Sequence, residues 1–216
     1  MLFRSHADTA TLSTTNPISG VGGTNSYNEI FSNSISLVNI GIAIIGSTAS
    51  YDLNNEVGAS GLGNSITNWG GALTATAFGN LPNTGTIAGT SGIFESNQVG
   101  ETVAYNTVTS ANLNGAVVNM RGIHKMYSAS PASLGSSYTS AINNNTVSMS
   151  CAFTSGTTYD FSAIKIDSIR TLLTNLTLNI NNNTISNSTI SLLAGSTPTT
   201  ALINVGANAQ IGRAHV

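Results

Sequence analysis

The chain has 216 residues, 40% of them hydrophobic and only 6% charged, against roughly 25% charged residues in an average globular protein. Six Lys and Arg beside eight Asp and Glu give a net charge of −2, which excludes a basic nucleic-acid-binding surface, and so few charges also exclude a coiled coil. The single cysteine, Cys151, excludes an intrachain disulfide and a cysteine-based zinc cluster.

The two ends of the chain form a matched pair. Residues 1–5 and 211–216 can be encoded by overlapping reverse complements of one DNA stretch, which resembles a sequencing adapter. We therefore expect both ends to be adapter-like additions that flank a single domain over residues 6–210. On this interpretation the domain is a fragment, and a signal peptide would lie outside it.

A four-residue motif, Asn-[Ser/Thr]-[Ile/Val]-[Ser/Thr], recurs between these ends. Subtracting successive asparagine numbers gives spacings of 31, 42, 39 and 38 residues, which indicates a repeat of about 38–42 residues with insertions and deletions. The copies begin at Asn33, Asn64, Asn106, Asn145 and Asn183.

A second motif, a small residue followed by Ile or Leu, lies between the copies of the first. Both motifs alternate with polar residues and are rich in β-branched side chains, so each period contains at least two predicted strands and no amphipathic helix. Runs of Asn and Gly predict the bends between them. The second motif occurs at Gly41-Ile42, Gly92-Ile93, Gly122-Ile123, Ala163-Ile164 and Ala201-Leu202.

The recurrence of Asn before each strand predicts a ladder of side-chain amides. In a coiled parallel sheet each coil lies about 4.8 Å above the last, so one amide at the same bend can donate to one neighbour and accept from the other. The third motif residue then points inward, and the flanking hydroxyl residues point outward.

These features together resemble the right-handed parallel β-helix repeat family of secreted bacterial surface proteins. The resemblance rests on the Asn-Thr-Ile-Ser units, the Gly-Ile strands and the Asn-rich bends INNNTVS and NINNNTIS. It implies an all-β, right-handed parallel β-helix (β-solenoid) at an extracellular or cell-surface location. The longest period, between Asn64 and Asn106, predicts a protruding loop over residues 74–89.

Parallel β-helices also include polysaccharide lyases and glycoside hydrolases, which need clustered carboxylates. Glu29, Asp52 and Glu56 are the catalytic candidates, because a separation of about one coil would align them on one face. The alternative is that they are solvated bend residues. The sequence predicts no metal site and no cofactor.

Four residues are candidates for ligand binding. Trp69, beside Gly70-Gly71, would stack on a sugar ring if it were exposed, and a ring that covers the core is the alternative. Arg121, His124 and Lys125 form a basic cluster that would hold an anionic sugar, or else would keep an exposed strand end soluble.

The repeated hydroxyl pairs of the first motif also resemble an ice-binding face. The leading expectation, however, is a non-enzymatic structural or adhesive module that contacts polysaccharide or cell-surface glycan. The longest apolar stretch, residues 35–46, is interrupted by Asn39 and is shorter than the roughly 20 residues of a membrane span, so we expect no span. Open end coils would make the fragment self-associate.

Overall fold

The computed structural model describes residues 2–4, 25–46, 51–70, 89–116, 119–127, 136–153, 160–167, 175–192 and 199–205. Within these residues the fold is all-β, without a helix, and every strand pairing is parallel. The all-β class predicted from the sequence is therefore confirmed.

The strands form three large sheets and one small one. Sheet A contains β1 (Leu2–Arg4), β4 (Ile40–Ile45), β8 (Gly89–Ser96), β12 (Asn119–Met126), β15 (Asp160–Asp167) and β19 (Thr199–Val205). Sheet B contains β2 (Glu29–Ile30), β6 (Glu56–Val57), β10 (Thr102–Ala104), β13 (Tyr138–Asn143) and β16 (Leu176–Asn181). Sheet C contains β3 (Ser34–Ser36), β7 (Ser65–Trp69), β11 (Thr107–Ala116), β14 (Thr146–Phe153), β17 (Thr184–Ile185) and β18 (Thr189–Leu192). The short strands β5 (Asp52–Leu53) and β9 (Gln98–Val99) pair with each other.

The chain visits the three large sheets in the same order in every repeat. It passes from sheet B to sheet C to sheet A, and neighbouring strands within a sheet come from successive repeats. Each repeat is therefore one coil that contributes to all three large sheets, and the coils stack through parallel pairing. This arrangement is consistent with a β-solenoid or β-helix.

The first motif supplies sheet C and one wall of the core. Its third residues occupy one column in register, in which Ile66, Val108 and Val147 are completely buried. Ile35 and Ile185, at the two ends of the column, are half-buried. The inward direction of the third residue therefore agrees with the sequence pattern.

The second motif supplies sheet A and packs against the first. A β-carbon added at Gly122 would lie 2.5 Å from Val147 Cγ1 and 2.5 Å from the carbonyl oxygen of Ala163, so this column accepts only small residues. In the last coil the sequence alignment was wrong by one residue. Ile203, not Leu202, pairs with Ile164, and Leu202 is 49% exposed.

The corner before four of the five motif asparagines is formed by a residue in the left-handed region. Ser32, Tyr105, Asn144 and Asn182 have φ values of 54°, 60°, 56° and 53°, and each immediately precedes a motif asparagine. The three consecutive asparagines at 143–145 differ in role. Asn143 ends β13, Asn144 turns the chain, and Asn145 points inward. Asn is common here because it adopts positive φ more easily than other side chains.

The predicted adapter-like ends and the predicted loop fall only partly within the described residues. Leu2–Arg4, assigned to an adapter-like end, form β1 and pair with β4 in parallel register, which is possible because the outer edge of β4 offers free backbone groups. Residues 211–216 and 74–88 lie outside the described residues, and Gly89, the last residue of the predicted loop, begins β8. In the described part of the chain no helix is long and apolar enough to cross a membrane.

Candidate functional site

The corner between sheets B and C contains a continuous column of side-chain amides, which we call the ladder corner. The Nδ2 of each of the first four asparagines donates to the Oδ1 of the next at 2.8–3.0 Å, and the backbone N–H of the same residue donates to the same oxygen at 3.0–3.1 Å. The second Nδ2 hydrogen reaches a backbone carbonyl at 2.7–3.0 Å. The members are Asn33, Asn64, Asn106, Asn145 and Asn183.

The outer face of sheet C displays two columns of hydroxyl groups. The second motif position is exposed in all five coils, and parallel pairing places these residues in one register column: Ser34, Ser65, Thr107, Thr146 and Thr184. Two residues further along lies a parallel column of Ser36, Thr67, Thr109 and Ser148, which is exposed or half-buried. This face is therefore an uncharged hydrogen-bonding surface with the repeat of the coils.

The structure brings only two of the three catalytic candidates together. Glu29 and Glu56 are exposed and directly paired on adjacent strands of sheet B. Asp52 is buried, accepts hydrogen bonds from Asn25 N at 2.9 Å and from Gln98 Nε2 at 3.1 Å, and has its pKa raised by burial. The three carboxylates therefore do not share an open cleft, because Asp52 points into the protein.

Trp69 does not present its ring to solvent. Its side chain is completely buried, and a β-carbon added at Gly92 would lie 3.3 Å from Trp69 Cε2, so the indole fills the core beside a glycine of sheet A. The proposed stacking of Trp69 on a sugar requires an exposed ring, which this position does not provide. The alternative, a ring in the core, describes what is observed.

The three basic residues of β12 separate instead of forming one anion site. Arg121 lies on the outer face, where its Nε donates to Asp160 Oδ2 at 3.1 Å. His124 is also on that side but is buried against Phe94, with ring centroids 5.2 Å apart. Lys125 points into the core and is completely buried. A free basic cluster is therefore absent from β12.

Neighbouring carboxylates already neutralise the outer face of this strand. Lys165 Nζ lies 3.4 Å from Asp160 Oδ2 and 3.5 Å from Asp167 Oδ1. His124 Nε2 lies 2.9 Å from Asp167 Oδ2. Burial lowers the pKa of His124 below its ordinary value, although Asp167 opposes this shift, so the imidazole is neutral at pH 7 and Nε2–H donates to the carboxylate.

Charged residues meet without solvent at the corner between sheets A and B. Glu95, Glu101, Lys125 and Tyr127, which we call the charged corner, are all at most 1% exposed. Lys125 Nζ contacts Glu101 Oε1, lies 3.7 Å from Glu95 Oε2, and donates to the carbonyl oxygen of Gln98 at 3.1 Å. It also lies 4.8 Å from the centroid of the Tyr127 ring. One ammonium group thus faces two carboxyl groups inside the protein.

The protonation of this corner follows from its burial. Burial raises the pKa of Glu95 to about 8, and the charge of Glu101 adds to the increase while Lys125 opposes it. Burial alone would lower the pKa of Lys125, but the surrounding Glu101, Tyr127 and Glu95 raise it above its ordinary value. At neutral pH the corner therefore holds a protonated Glu95 beside the Lys125 ammonium.

The sequence interpretation missed this corner, although a signal was present. Aligning the second motif places Ile44, Glu95, Lys125 and Ile166 in one column, two residues after the buried Ile of each copy. Residues two apart on a strand share a face, so Glu95 and Lys125 had to point inward. Their opposite charges on adjacent coils could have been recognised as a buried pair.

The parallel, stacked coils and the amide column between them define a repeat protein. No protein-family model, no curated protein and no solved structure matches the chain. Among the described residues, no group of three or more His, Cys, Asp or Glu side chains is arranged to hold a metal ion.

Proposed function

We propose that the chain is a right-handed parallel β-helix from a secreted cell-surface protein, in which it serves as a non-enzymatic structural and adhesive module. The observation that carries this proposal is the double column of hydroxyl groups on sheet C. The ladder corner supports it, because a column of amides bonded in every coil holds the outward hydroxyls of sheet C at a fixed spacing.

The chemistry of this face favours polysaccharide as the partner. Glycan chains present hydroxyl groups at regular intervals, and an uncharged array of Ser and Thr hydroxyls can both donate to them and accept from them. Each contact is weak in water, but several coils engage the same chain at once, so the affinity is that of a multivalent array. The binding step is contact without turnover.

Sedimentation with insoluble polysaccharides tests this proposal directly. Three outward threonines of sheet C are replaced by the isosteric Val in the variant Thr107→Val/Thr146→Val/Thr184→Val, which keeps the strand propensity and removes only the hydroxyls. The matched control is Thr139→Val/Thr177→Val, which removes two exposed, paired hydroxyls from sheet B.

We expect the wild-type chain and the sheet B variant to sediment with cellulose, chitin or peptidoglycan, and the sheet C variant to lose most of this binding. Equal binding by both variants would show that the hydroxyl face is not the adhesive surface. Absence of binding by the wild-type chain to every polysaccharide would refute adhesion and leave a purely structural module.

The same hydroxyl columns favour ice as a second candidate ligand, because a repeated, uncharged array of hydroxyl groups also suits an ordered water lattice. A thermal-hysteresis measurement separates the two candidates. A freezing-point depression in the wild-type chain that disappears in the sheet C variant would support ice binding, and no hysteresis at any concentration would eliminate it.

A further inference from the structure

The contacts of Lys125 go beyond an ordinary buried ion pair. Its Nζ contacts Glu101 Oε1, and the carboxyl carbon of Glu101 is one bond further away. Ser140 Oγ donates to the other oxygen, Glu101 Oε2, at 2.8 Å, and the hydroxyl is itself held by Gly100 N at 3.1 Å. Lys125 thus contacts one oxygen of the Glu101 carboxyl group, and Ser140 holds the other oxygen in place.

We propose that Lys125 and Glu101 condense within the folded chain to form an isopeptide bond, with Glu95 as the residue that moves the protons. This step requires no external reagent, and it goes beyond the proposed adhesive function, which does not depend on it.

The atoms and charges of the step balance. The ammonium of Lys125 gives one proton to the carboxylate of Glu101, which produces a neutral amine and a neutral acid. The nitrogen lone pair attacks the carboxyl carbon Cδ, and a C–N bond forms. Glu95 donates its proton to the departing hydroxyl oxygen and regains one from the nitrogen. One amide and one water molecule result, and Glu95 is restored.

The buried environment of Lys125 and Glu101 favours the amide product over the ion pair. A buried ion pair bears the cost of removing two charges from water, whereas the amide product is neutral. Fixing the two groups in contact also replaces an encounter between separate reactants, and such positioning lowers the barrier to bond formation. The Ser140 hydroxyl is placed to stabilise the negative charge that develops on Oε2.

Glu95 is available for proton transfer because its carboxyl group is not engaged elsewhere. Both of its oxygens are buried without a hydrogen-bond partner among the described residues, and Oε2 lies 3.7 Å from Lys125 Nζ. Register pairing places Glu95 directly beside Lys125 on the neighbouring strand. The carboxylic acid therefore faces the reacting nitrogen from within the same water-excluded corner.

The chain contains a matched control for this chemistry. Lys165 also lies beside two carboxylates, Asp160 and Asp167, but its side chain is 15% exposed and those of the carboxylates are 13% and 30% exposed. Water stabilises the ionised forms there, so we expect no condensation at Lys165.

Intact mass measurement of the denatured protein tests the proposal. We expect the wild-type chain to be lighter than its sequence mass by one water molecule, and Lys165→Met to show the same loss. Glu101→Ala and Lys125→Met remove a reactant and should have their full sequence masses. Glu95→Gln keeps both reactants and should lose the water slowly or not at all.

A further variant separates a chemical role from a merely structural one. Glu101→Gln places an amide at the reacting carbon, so attack by Lys125 releases ammonia and the chain should be lighter by one ammonia molecule instead of one water. Digestion followed by mass spectrometry should then recover a branched peptide that joins residues 101 and 125. Full sequence mass in the folded wild-type chain, together with normal cleavage after Lys125, would overturn the proposal.

Discussion

The ladder corner and the charged corner bury polar groups in opposite ways. At the ladder corner the same uncharged amide recurs in five coils, and Asn64, Asn106 and Asn145 each donate to the next amide and to a backbone carbonyl. At the charged corner Glu95, Glu101 and Lys125 occur once, and both oxygens of Glu95 lack a hydrogen-bond partner among the described residues. When the same amide recurs in every coil, each buried amide finds its hydrogen-bond partner in the next coil. The charged corner occurs once, so the Glu95 carboxyl group is left without a hydrogen-bond partner in the described part of the chain and is available for proton transfer.

Breaking the ladder at its centre should have the largest effect on stability. Asn106→Leu removes the acceptor of Asn64 and the donors to Asn145 Oδ1 and Val57 O, all of them buried. Since each buried group left without a partner costs about 1 to 3 kcal/mol, we expect the free energy of unfolding to fall by about 3 to 6 kcal/mol in urea titrations. The control Asn175→Leu, at an exposed position, should change it little. Equal effects of the two substitutions would show that the ladder does not stabilise the stack.

The charged corner should make stability depend on pH. The pKa of Glu95 is about 8 in the folded chain, against an ordinary value of 4.5. Between these values the folded state holds a proton that the unfolded state releases, so the free energy of unfolding decreases as the pH rises through this window. The slope is at most about 1.4 kcal/mol per pH unit.

Glu95→Gln should remove this pH dependence, because the amide does not titrate. Lys125, Glu101 and Tyr127 face the position. Both chains are compared in the Lys125→Met background, which cannot form the proposed isopeptide bond, so the change isolates one carboxyl group. The control Glu29→Gln makes the same chemical change at an exposed position and should retain the slope. Parallel stability curves for Lys125→Met and Lys125→Met/Glu95→Gln between pH 5 and pH 8 would contradict the assignment of the buried proton to Glu95.

The smallest expected effect is a gain in stability at the bend before the ladder. Tyr105 has a φ of 60° and is 44% exposed, whereas Asn144 and Asn182 occupy the same bend in the next two coils. A left-handed backbone costs a typical side chain about 1 kcal/mol more than it costs Asn, so Tyr105→Asn should stabilise the chain by about that amount. The reciprocal Asn144→Tyr should destabilise it similarly. A loss of stability in Tyr105→Asn would indicate that the ring has packing that outweighs the backbone cost.

Repetition also explains which parts of the molecule were predictable from the sequence. Five copies of one motif predicted strands, bends and an inward Ile or Val, because each copy repeats the same local chemistry. The last coil was misaligned, since Ala201-Leu202 matches the second motif while Ile203 fills the core position. The burial of Trp69 depends on which residues of neighbouring coils stack beside it, and short-range patterns do not contain that information. The inward direction of Lys125 was predictable from the second motif, because Lys125 lies two residues after its buried Ile.

Successive copies of the first motif stack in parallel, in register, one coil apart. Cysteine pairs test this directly, because adjacent strands lie about 4.8 Å apart and a disulfide needs Cα atoms roughly 4.4 to 6.8 Å apart. Thr107 pairs with Thr146, whereas Ser148 is two residues out of register and about 8 Å from Thr107. The native Cys151 is buried, and burial raises its pKa to about 11, so it should not interfere.

Rapid disulfide formation under mild oxidation, measured by thiol titration and by mass, is the result we predict for Thr107→Cys/Thr146→Cys. Thr107→Cys/Ser148→Cys should remain reduced under the same conditions. Equal oxidation of the two pairs, or preferential oxidation of the second, would contradict the register and with it the stacked-coil structure.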